Sequence, residues 1–83
     1  MPSDAVSPRV RLYVRRNCHL CELAGADLQR ICTELSVAFD QVDVDTDPEL
    51  RAEYGDRVPV ILVDGKEHGY FRVEEARLRA ALR

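Results

Sequence analysis

Two cysteines separated by two residues, in the sequence Cys18-His19-Leu20-Cys21, lie between segments of contrasting periodicity. The segment before them, Val10–Val14, alternates apolar side chains with more polar ones, which predicts a strand. The segment after them, residues 20–35, has apolar residues at helical spacing. Cys18 is therefore expected at a helix N-terminus, where the backbone amides and the helix dipole favour a thiolate and lower its pKa. The second thiol can close a disulfide with the first, so the motif predicts a site of dithiol–disulfide exchange.

The size and composition of the chain predict one small domain. It has 83 residues, of which 46% are hydrophobic and 33% charged, which suffices for one core. We expect residues 9–83 to form this domain and residues 1–8 to be a disordered lead-in, because the first residues are polar and contain no apolar signal-peptide core. The three cysteines do not suggest a secreted domain held by disulfides, and a close pair in a reducing compartment is typically catalytic or metal-binding.

Charge and hydropathy exclude two classes of partner. The net charge of −3 gives no support for a nucleic acid partner. No apolar stretch approaches the roughly 20 residues of a membrane helix. We therefore expect no nucleic acid or membrane partner. The missing signal-peptide core and the cysteine usage make a cytoplasmic protein the default expectation. We also expect a monomer, because nothing in the sequence suggests an extended apolar interface.

The remaining segments predict a regular alternation of strands and helices. The first helix carries apolar residues at the spacing of one face, namely Leu20, Leu23, Ala24, Leu28, Ile31 and Leu35. After it we predict a strand over 37–44, a short helix begun by Asp47-Pro48-Glu49 and ended by Gly55, strands over 58–63 and 66–71 joined by an Asp64-Gly65 turn, and a helix over 73–82. The order β-α-β-α-β-β-α predicts an α/β fold with a four-stranded mixed sheet and helices on both faces.

The CxxC motif after the first strand, Val58-Pro59 at the third strand and this order of elements together resemble the thioredoxin fold. Within that fold the chain resembles the glutaredoxins, and more narrowly the short bacterial glutaredoxin-like proteins, from about residue 9 to residue 82. The resemblance implies that Cys18 is the exposed nucleophile and Cys21 the resolving cysteine. It also implies that Pro59 is a cis-proline facing the dithiol and that Val58 offers its backbone to an extended thiol substrate. Arg15 matches the basic position with which many glutaredoxins hold a glutathione carboxylate.

The chain departs from the glutaredoxin pattern at several positions. His19-Leu20 stands between the cysteines where glutaredoxins typically have Pro-Tyr, and Arg57 replaces the common threonine before Val-Pro. The segment Gly69-Tyr70-Phe71 has one glycine where two are usual. The positive charges of Arg16 and protonated His19 are expected to lower the pKa of Cys18 further.

These features together predict a thiol–disulfide oxidoreductase of cell redox homeostasis, with no bound cofactor and no metal ligand. Its substrate would be a disulfide-containing protein or a low-molecular-weight thiol. Glutathione, another thiol or a protein reductase would supply electrons. Two alternatives stay open: a zinc or iron–sulfur cluster carrier that uses Cys18, Cys21 and His19, and a binding module without turnover. Cys32 is interpreted as a core cysteine, with a third redox thiol as the alternative.

Overall fold

The computed structural model describes residues 8–83, so all but the last residue of the predicted lead-in over 1–8 lies outside the described residues. The elements in chain order are β1 (Val10–Val14), α1 (His19–Leu35), β2 (Phe39–Asp43), a 3-10 turn (Val44–Thr46), α2 (Pro48–Tyr54), β3 (Val60–Val63), β4 (Lys66–Tyr70) and α3 (Glu75–Ala81). No helix among these is long and apolar enough to cross a membrane.

The four strands form one mixed sheet in the order β2-β1-β3-β4. β1 is parallel to β2 and antiparallel to β3, and β3 is antiparallel to β4. The parallel pair is joined through α1, as a crossover requires, and the antiparallel pair β3–β4 is joined by a tight turn. The predicted α/β architecture with a four-stranded mixed sheet is confirmed.

Side chains alternate between two cores on opposite faces of the sheet, as strand geometry requires. One core joins β1 and β3 to α1 and α3 and includes Leu12, Ile61 and Leu78. The other is centred on Tyr13 and is covered by α2, with the rings of Tyr13 and Tyr54 stacked at 4.6 Å. Helices therefore cover both faces, and α2 and the 3-10 turn are fixed against the same strand that leads to the cysteine motif.

The buried face of α1 differs from the face that the leucine spacing predicts. The buried residues of the helix are Cys21, Ala24, Gly25, Leu28, Ile31 and Cys32. Leu20, Leu23 and Leu35 are exposed. The small residues at 21, 24 and 25 let the helix lie close to the sheet, and Leu20 and Leu23 fall on its flank. Leu35 is the last residue of the helix. The predicted apolar face and the observed buried face overlap, and the residues of both recur at the helical period. Spacing alone therefore could not show which of the two is buried.

The Asp64-Gly65 turn confirms the predicted hairpin. Both residues adopt positive φ angles, 53° at Asp64 and 82° at Gly65. This backbone twist matches that of the two strands it joins, and glycine reaches it without steric cost.

Several elements are shorter than predicted, for identifiable reasons. The second strand, predicted over 37–44, ends at Asp43, whose side chain accepts a hydrogen bond from the Asp45 N–H and begins the 3-10 turn. The third strand, predicted over 58–63, begins at Val60, because Pro59 has no N–H for the ladder. The fourth strand ends at Tyr70, since Phe71 has a φ of 72°. The last helix, predicted over 73–82, spans Glu75–Ala81, with Glu74 as its N-cap.

Candidate dithiol site

One edge of the sheet brings together the ends of three strands. Because β1 and β3 are antiparallel, and β3 and β4 are antiparallel, β1 ends where β3 begins and β4 ends. Tyr13 is paired with Val60, and Val60 in turn with Tyr70. The CxxC motif, the Val58-Pro59 pair and Phe71 all lie just beyond these paired residues. We call this the dithiol edge.

Cys18 and Cys21 form a disulfide at the N-terminus of α1, with their Cα atoms 5.2 Å apart. Cys18 is the N-cap residue, in extended conformation, and its sulfur accepts a hydrogen bond from the backbone N–H of Cys21 at 3.2 Å. Cys18 is partly exposed, whereas only 4% of Cys21 is accessible. The predicted position of the pair at a strand-to-helix junction is confirmed.

The sulfur atoms of Cys18 and Cys21 lie in different environments at the start of α1. The sulfur of Cys18 receives an amide hydrogen bond and lies at the positive end of the helix dipole, and both interactions favour a thiolate over a thiol. The sulfur of Cys21 is on the core side of the first helical turn. The arrangement thus supplies one accessible, anion-stabilised sulfur and one sheltered sulfur within bonding reach of it.

The loop between β1 and α1 holds the two arginines that the sequence singled out. Arg15 is bound by this chain itself: its Nε donates to Asp45 Oδ2 at 3.1 Å and its Nη1 to the Gly55 carbonyl at 3.3 Å. It therefore ties the end of β1 to the 3-10 turn and to the end of α2. Arg16 is exposed. Asn17 closes the loop with a φ of 58°, a conformation that asparagine tolerates better than most residues.

His19 lies on the solvent side of the motif. Its side chain is 80% exposed, and its Nδ1 is 3.9 Å from Glu22 Oε1. The side chain thus contributes its charge, when protonated, next to Cys18, and at this exposure that charge is screened by water.

The Val58–Pro59 peptide bond is cis, as the resemblance implied. Pro59 is buried, and its carbonyl accepts a hydrogen bond from the Phe71 N–H at 2.7 Å. The side chain of Val58 packs against the Tyr13 core. Within residues 8–83, the N–H and C=O of Val58 take part in no backbone hydrogen bond. Val58 therefore offers a donor and an acceptor at the dithiol edge.

Sequence reasoning missed the conformation of Phe71. This residue is 46% exposed and has a φ of 72°, a conformation that is rare for a bulky side chain. The single glycine of Gly69-Tyr70-Phe71 marks a departure from the glutaredoxin pattern at this point, but no local pattern signals a left-handed phenylalanine.

Cys32 is separate from the site. It is 1% exposed, and burial raises the pKa of its thiol. A thiol of this kind is a poor nucleophile, which agrees with the interpretation of Cys32 as a core residue. Within residues 8–83 no three His, Cys, Asp or Glu side chains form a group that could hold a metal ion. A metal or cluster held by Cys18 and Cys21 would thus need ligands from a second molecule.

Comparisons with known proteins agree with this geometry. The uncharacterized protein Rv0508 of Mycobacterium tuberculosis is 44% identical over 78 residues, which cover 88% of this chain and 80% of that protein. The solved structure of protein XcR50 from X. campestris is 38% identical, with a TM-score of 0.71, and the match covers 88% of this chain and 93% of that one. Fasciola hepatica thioredoxin is 28% identical, with a TM-score of 0.58 over 88% of this chain and 75% of that one.

The family assignment follows from the match to a whole domain. The disulfide at the helix start, the cis-proline and the sheet order are those of a thioredoxin fold of the glutaredoxin type, and this fold fits a thiol oxidoreductase. The sequence pattern of the glutaredoxin-like domain (DUF836) matches residues 9–83. This chain therefore belongs to the glutaredoxin-like domain family.

Proposed function

We propose that this protein is a thiol–disulfide oxidoreductase in which Cys18 is the nucleophile and Cys21 the resolving cysteine. The asymmetry of the disulfide carries the proposal: Cys18 is partly exposed and hydrogen-bonded to a helix amide, whereas Cys21 is 4% exposed. A substrate disulfide can reach the sulfur of Cys18 from solvent. The buried sulfur of Cys21 is placed to react with Cys18.

The reaction reduces a substrate disulfide in two exchange steps. The Cys18 thiolate attacks one substrate sulfur, and the other leaves as a thiolate that takes a proton from water. Cys21 loses its proton to solvent and attacks the Cys18 sulfur, which breaks the mixed disulfide and releases the second substrate sulfur. The substrate gains two electrons, and the dithiol loses two as the Cys18–Cys21 disulfide forms.

A separate thiol must return these two electrons. We propose glutathione, another low-molecular-weight thiol or a protein reductase in this role, with no bound cofactor, and a disulfide-containing protein or small disulfide as substrate. The protein would act as a monomer in cytoplasmic redox homeostasis. Arg16 and protonated His19 would add positive charge near the Cys18 thiolate, and the backbone groups of Val58 would pair with an extended substrate.

The contacts of Arg15 support a positioning role alongside the predicted binding of a substrate carboxylate. Its guanidinium already meets one carboxylate, that of Asp45, and one carbonyl, that of Gly55. A substrate carboxylate would therefore share Arg15 with these groups or displace Asp45, an exposed pair that exchanges at little cost.

A redox titration tests the proposal. The protein is equilibrated in glutathione buffers of graded potential, its free thiols are alkylated, and its mass is measured. We expect one two-electron transition to the Cys18–Cys21 disulfide, detected as the loss of two alkylated thiols without an added glutathione mass. This transition should be absent from Cys18→Ala and Cys21→Ala and retained by the matched control Cys32→Ala. Cys21→Ala should accumulate a mixed disulfide on Cys18. Absence of any transition in the unaltered protein would overturn the proposal, and a metal retained on purification would then favour a carrier.

A further inference from the structure

We propose that three exposed apolar side chains, Leu20, Leu23 and Phe71, form a docking surface for a polypeptide with an apolar side chain next to its reacting cysteine. We call these three residues the apolar rim. The inference rests on the proposed exchange function and extends it by naming the class of substrate.

The rim is the main exposed apolar feature near the cysteines. Leu20 is 47% exposed, Leu23 51% and Phe71 46%. Among residues 8–83, the other large apolar side chains with comparable exposure are Leu35, at the far end of α1, and Tyr70, which contacts Phe71. Exposed apolar side chains grouped at one place mark interaction surfaces, whereas scattered ones do not.

Ion pairs between α1 and α3 indicate where the two leucines point. Arg30 binds Glu75 at 2.9 Å, and Glu34 binds Arg79 at 2.6 Å, each pair separated by 45 residues. The equal separation shows that the two helices run in the same direction. Leu23 lies on the same flank of α1 as Arg30 and Glu34, seven and eleven positions earlier. The flank that carries Leu20 and Leu23 is thus directed toward the segment that leads from Phe71 into α3.

Phe71 is held at this edge by its backbone and by its neighbour. Its N–H is bonded to the Pro59 carbonyl, and its ring meets the Tyr70 ring edge to face, with centroids 4.9 Å apart. Successive residues of a regular strand point to opposite faces, so the contact between these two rings depends on the left-handed φ of Phe71. Backbone strain of this kind is concentrated at functional sites. The Tyr70 ring thus packs against Phe71 at the dithiol edge.

The groups beside the rim favour a polypeptide as the occupant. Val58 has an N–H and a C=O without backbone partners in the described part of the chain, and an extended peptide supplies the complementary pair. An apolar side chain beside the substrate cysteine would contact the rim while its backbone pairs with Val58. A small disulfide that lacks such a side chain would use the cysteines alone.

Peptide disulfides test this specificity in a Cys21→Ser background, where the reaction stops at the mixed disulfide. Two symmetrical peptide dimers are compared, with leucine or with glutamine next to the single cysteine, so that neither carries added charge. Attack by Cys18 leaves one peptide on Cys18 and releases the other as a thiol, and both are measured by mass. We expect the leucine dimer to react about tenfold faster, the effect of burying part of one apolar side chain.

Substitutions in the rim should remove the preference for leucine. Leu23→Gln keeps a good helix former, and Phe71→Asn keeps a residue that tolerates positive φ. Both should bring the ratio of the two rates close to one. Leu35→Gln, the same change on an exposed leucine at the far end of α1, should retain the full ratio. Each rate is divided by the rate of Cys18 alkylation by iodoacetamide, which corrects for changes in thiolate reactivity.

The outcomes separate the two proposals. Equal rates for the two dimers in the unaltered rim, or a ratio that survives both rim substitutions, would overturn the docking proposal and leave exchange chemistry intact. A Cys18 that reacts with iodoacetamide but with neither dimer, nor with glutathione disulfide, would overturn the oxidoreductase proposal itself.

Discussion

The backbone N–H of Cys21 donates a hydrogen bond to the sulfur of Cys18 across 3.2 Å. The residue that resolves the proposed mixed disulfide thus also supplies, through its amide, part of the environment that favours the Cys18 thiolate. The side chain of Cys21 can be changed without removing this amide, so the two contributions can be separated by mutation.

Limited alkylation of the reduced protein should modify the cysteines in a fixed order. Cys18 should react first because it is the most accessible and its thiolate is favoured, and Cys21 should follow. Cys32 should stay unmodified until the protein unfolds, because burial raises the pKa of its thiol. Peptide mapping after brief exposure to iodoacetamide, with and without denaturant, measures the order. Modification of Cys21 before Cys18 would contradict the assigned roles.

Neutralising Arg15 and Asp45 one at a time should show whether Arg15 positions the end of β1 or binds a substrate carboxylate. Arg15→Gln and Asp45→Asn both remove an exposed pair, and each should lower the free energy of unfolding by about 1 kcal/mol or less. If Arg15 binds a substrate carboxylate, Arg15→Gln slows exchange with glutathione disulfide, whereas Asp45→Asn frees the guanidinium and does not. Equal slowing by the two variants would show that Arg15 acts by fixing the end of β1.

Acid should weaken the attachment of α3 through Glu75. Hydrogen bonds from Arg30 and Arg79 lower the pKa of Glu75 to about 2, from an ordinary value of 4.5. Between these two values the unfolded chain binds a proton that the folded chain does not, so stability is present above pH 4.5 and is lost as the pH falls toward 2.

The Glu75→Gln variant should therefore show a shallower fall of unfolding free energy across this pH window. Denaturant unfolding at a series of pH values measures the slope. Glu49→Gln, at an exposed position in α2, is the matched control and should keep the slope of the unaltered protein. An unchanged slope in Glu75→Gln would mean that the ion pairs around α3 contribute nothing to folding.

Two glycines should respond oppositely to alanine. At Gly55 a Cβ atom would lie 2.5 Å from the Arg51 carbonyl oxygen, which also accepts the Gly55 N–H at 2.9 Å. The carbonyl cannot move without losing that bond, so Gly55→Ala should cost about 1–3 kcal/mol. At Gly25 the nearest atom is the end of the flexible Gln41 side chain, so Gly25→Ala should be neutral or stabilise the helix by up to about 1 kcal/mol. Thermal unfolding compares the two, and a larger loss at Gly25 would contradict this explanation.

The features that could be predicted from sequence are those with local causes. The Asp64-Gly65 turn requires positive φ angles that these residue types supply, and Asp47 accepts a hydrogen bond from the Glu49 N–H to begin α2 as its sequence indicates. The position of the CxxC motif at a helix start followed from a change of periodicity between neighbouring segments. Each of these depends on a few adjacent residues.

The features that could not be predicted depend on contacts between distant segments. Leu20 and Leu23 satisfy helical spacing equally well inside or outside the core, and the packing of α1 against the sheet decides their exposure. The conformation of Phe71 is tied to the carbonyl of Pro59, twelve positions earlier. The sequence around Arg15 does not indicate that Asp45 and Gly55 bind its guanidinium. These residues lie 30 and 40 positions away, and only the folded chain brings them into contact with Arg15.

The hydrogen bond from Phe71 to Pro59 limits how a strand can add to the sheet. Continuation of the β1–β3 register beyond Tyr13 and Val60 would place Arg15 opposite Val58, but the chain turns toward Cys18 there and makes no backbone bond to Val58. The Pro59 carbonyl is already used, and proline has no N–H to give. The proposed peptide substrate would therefore find one open ladder position, at Val58 and in line with β1. Because only one position is open, pairing with Val58 would set the register of the peptide. The peptide residue that reaches the Cys18 sulfur would then be determined by its distance in sequence from the residue paired with Val58.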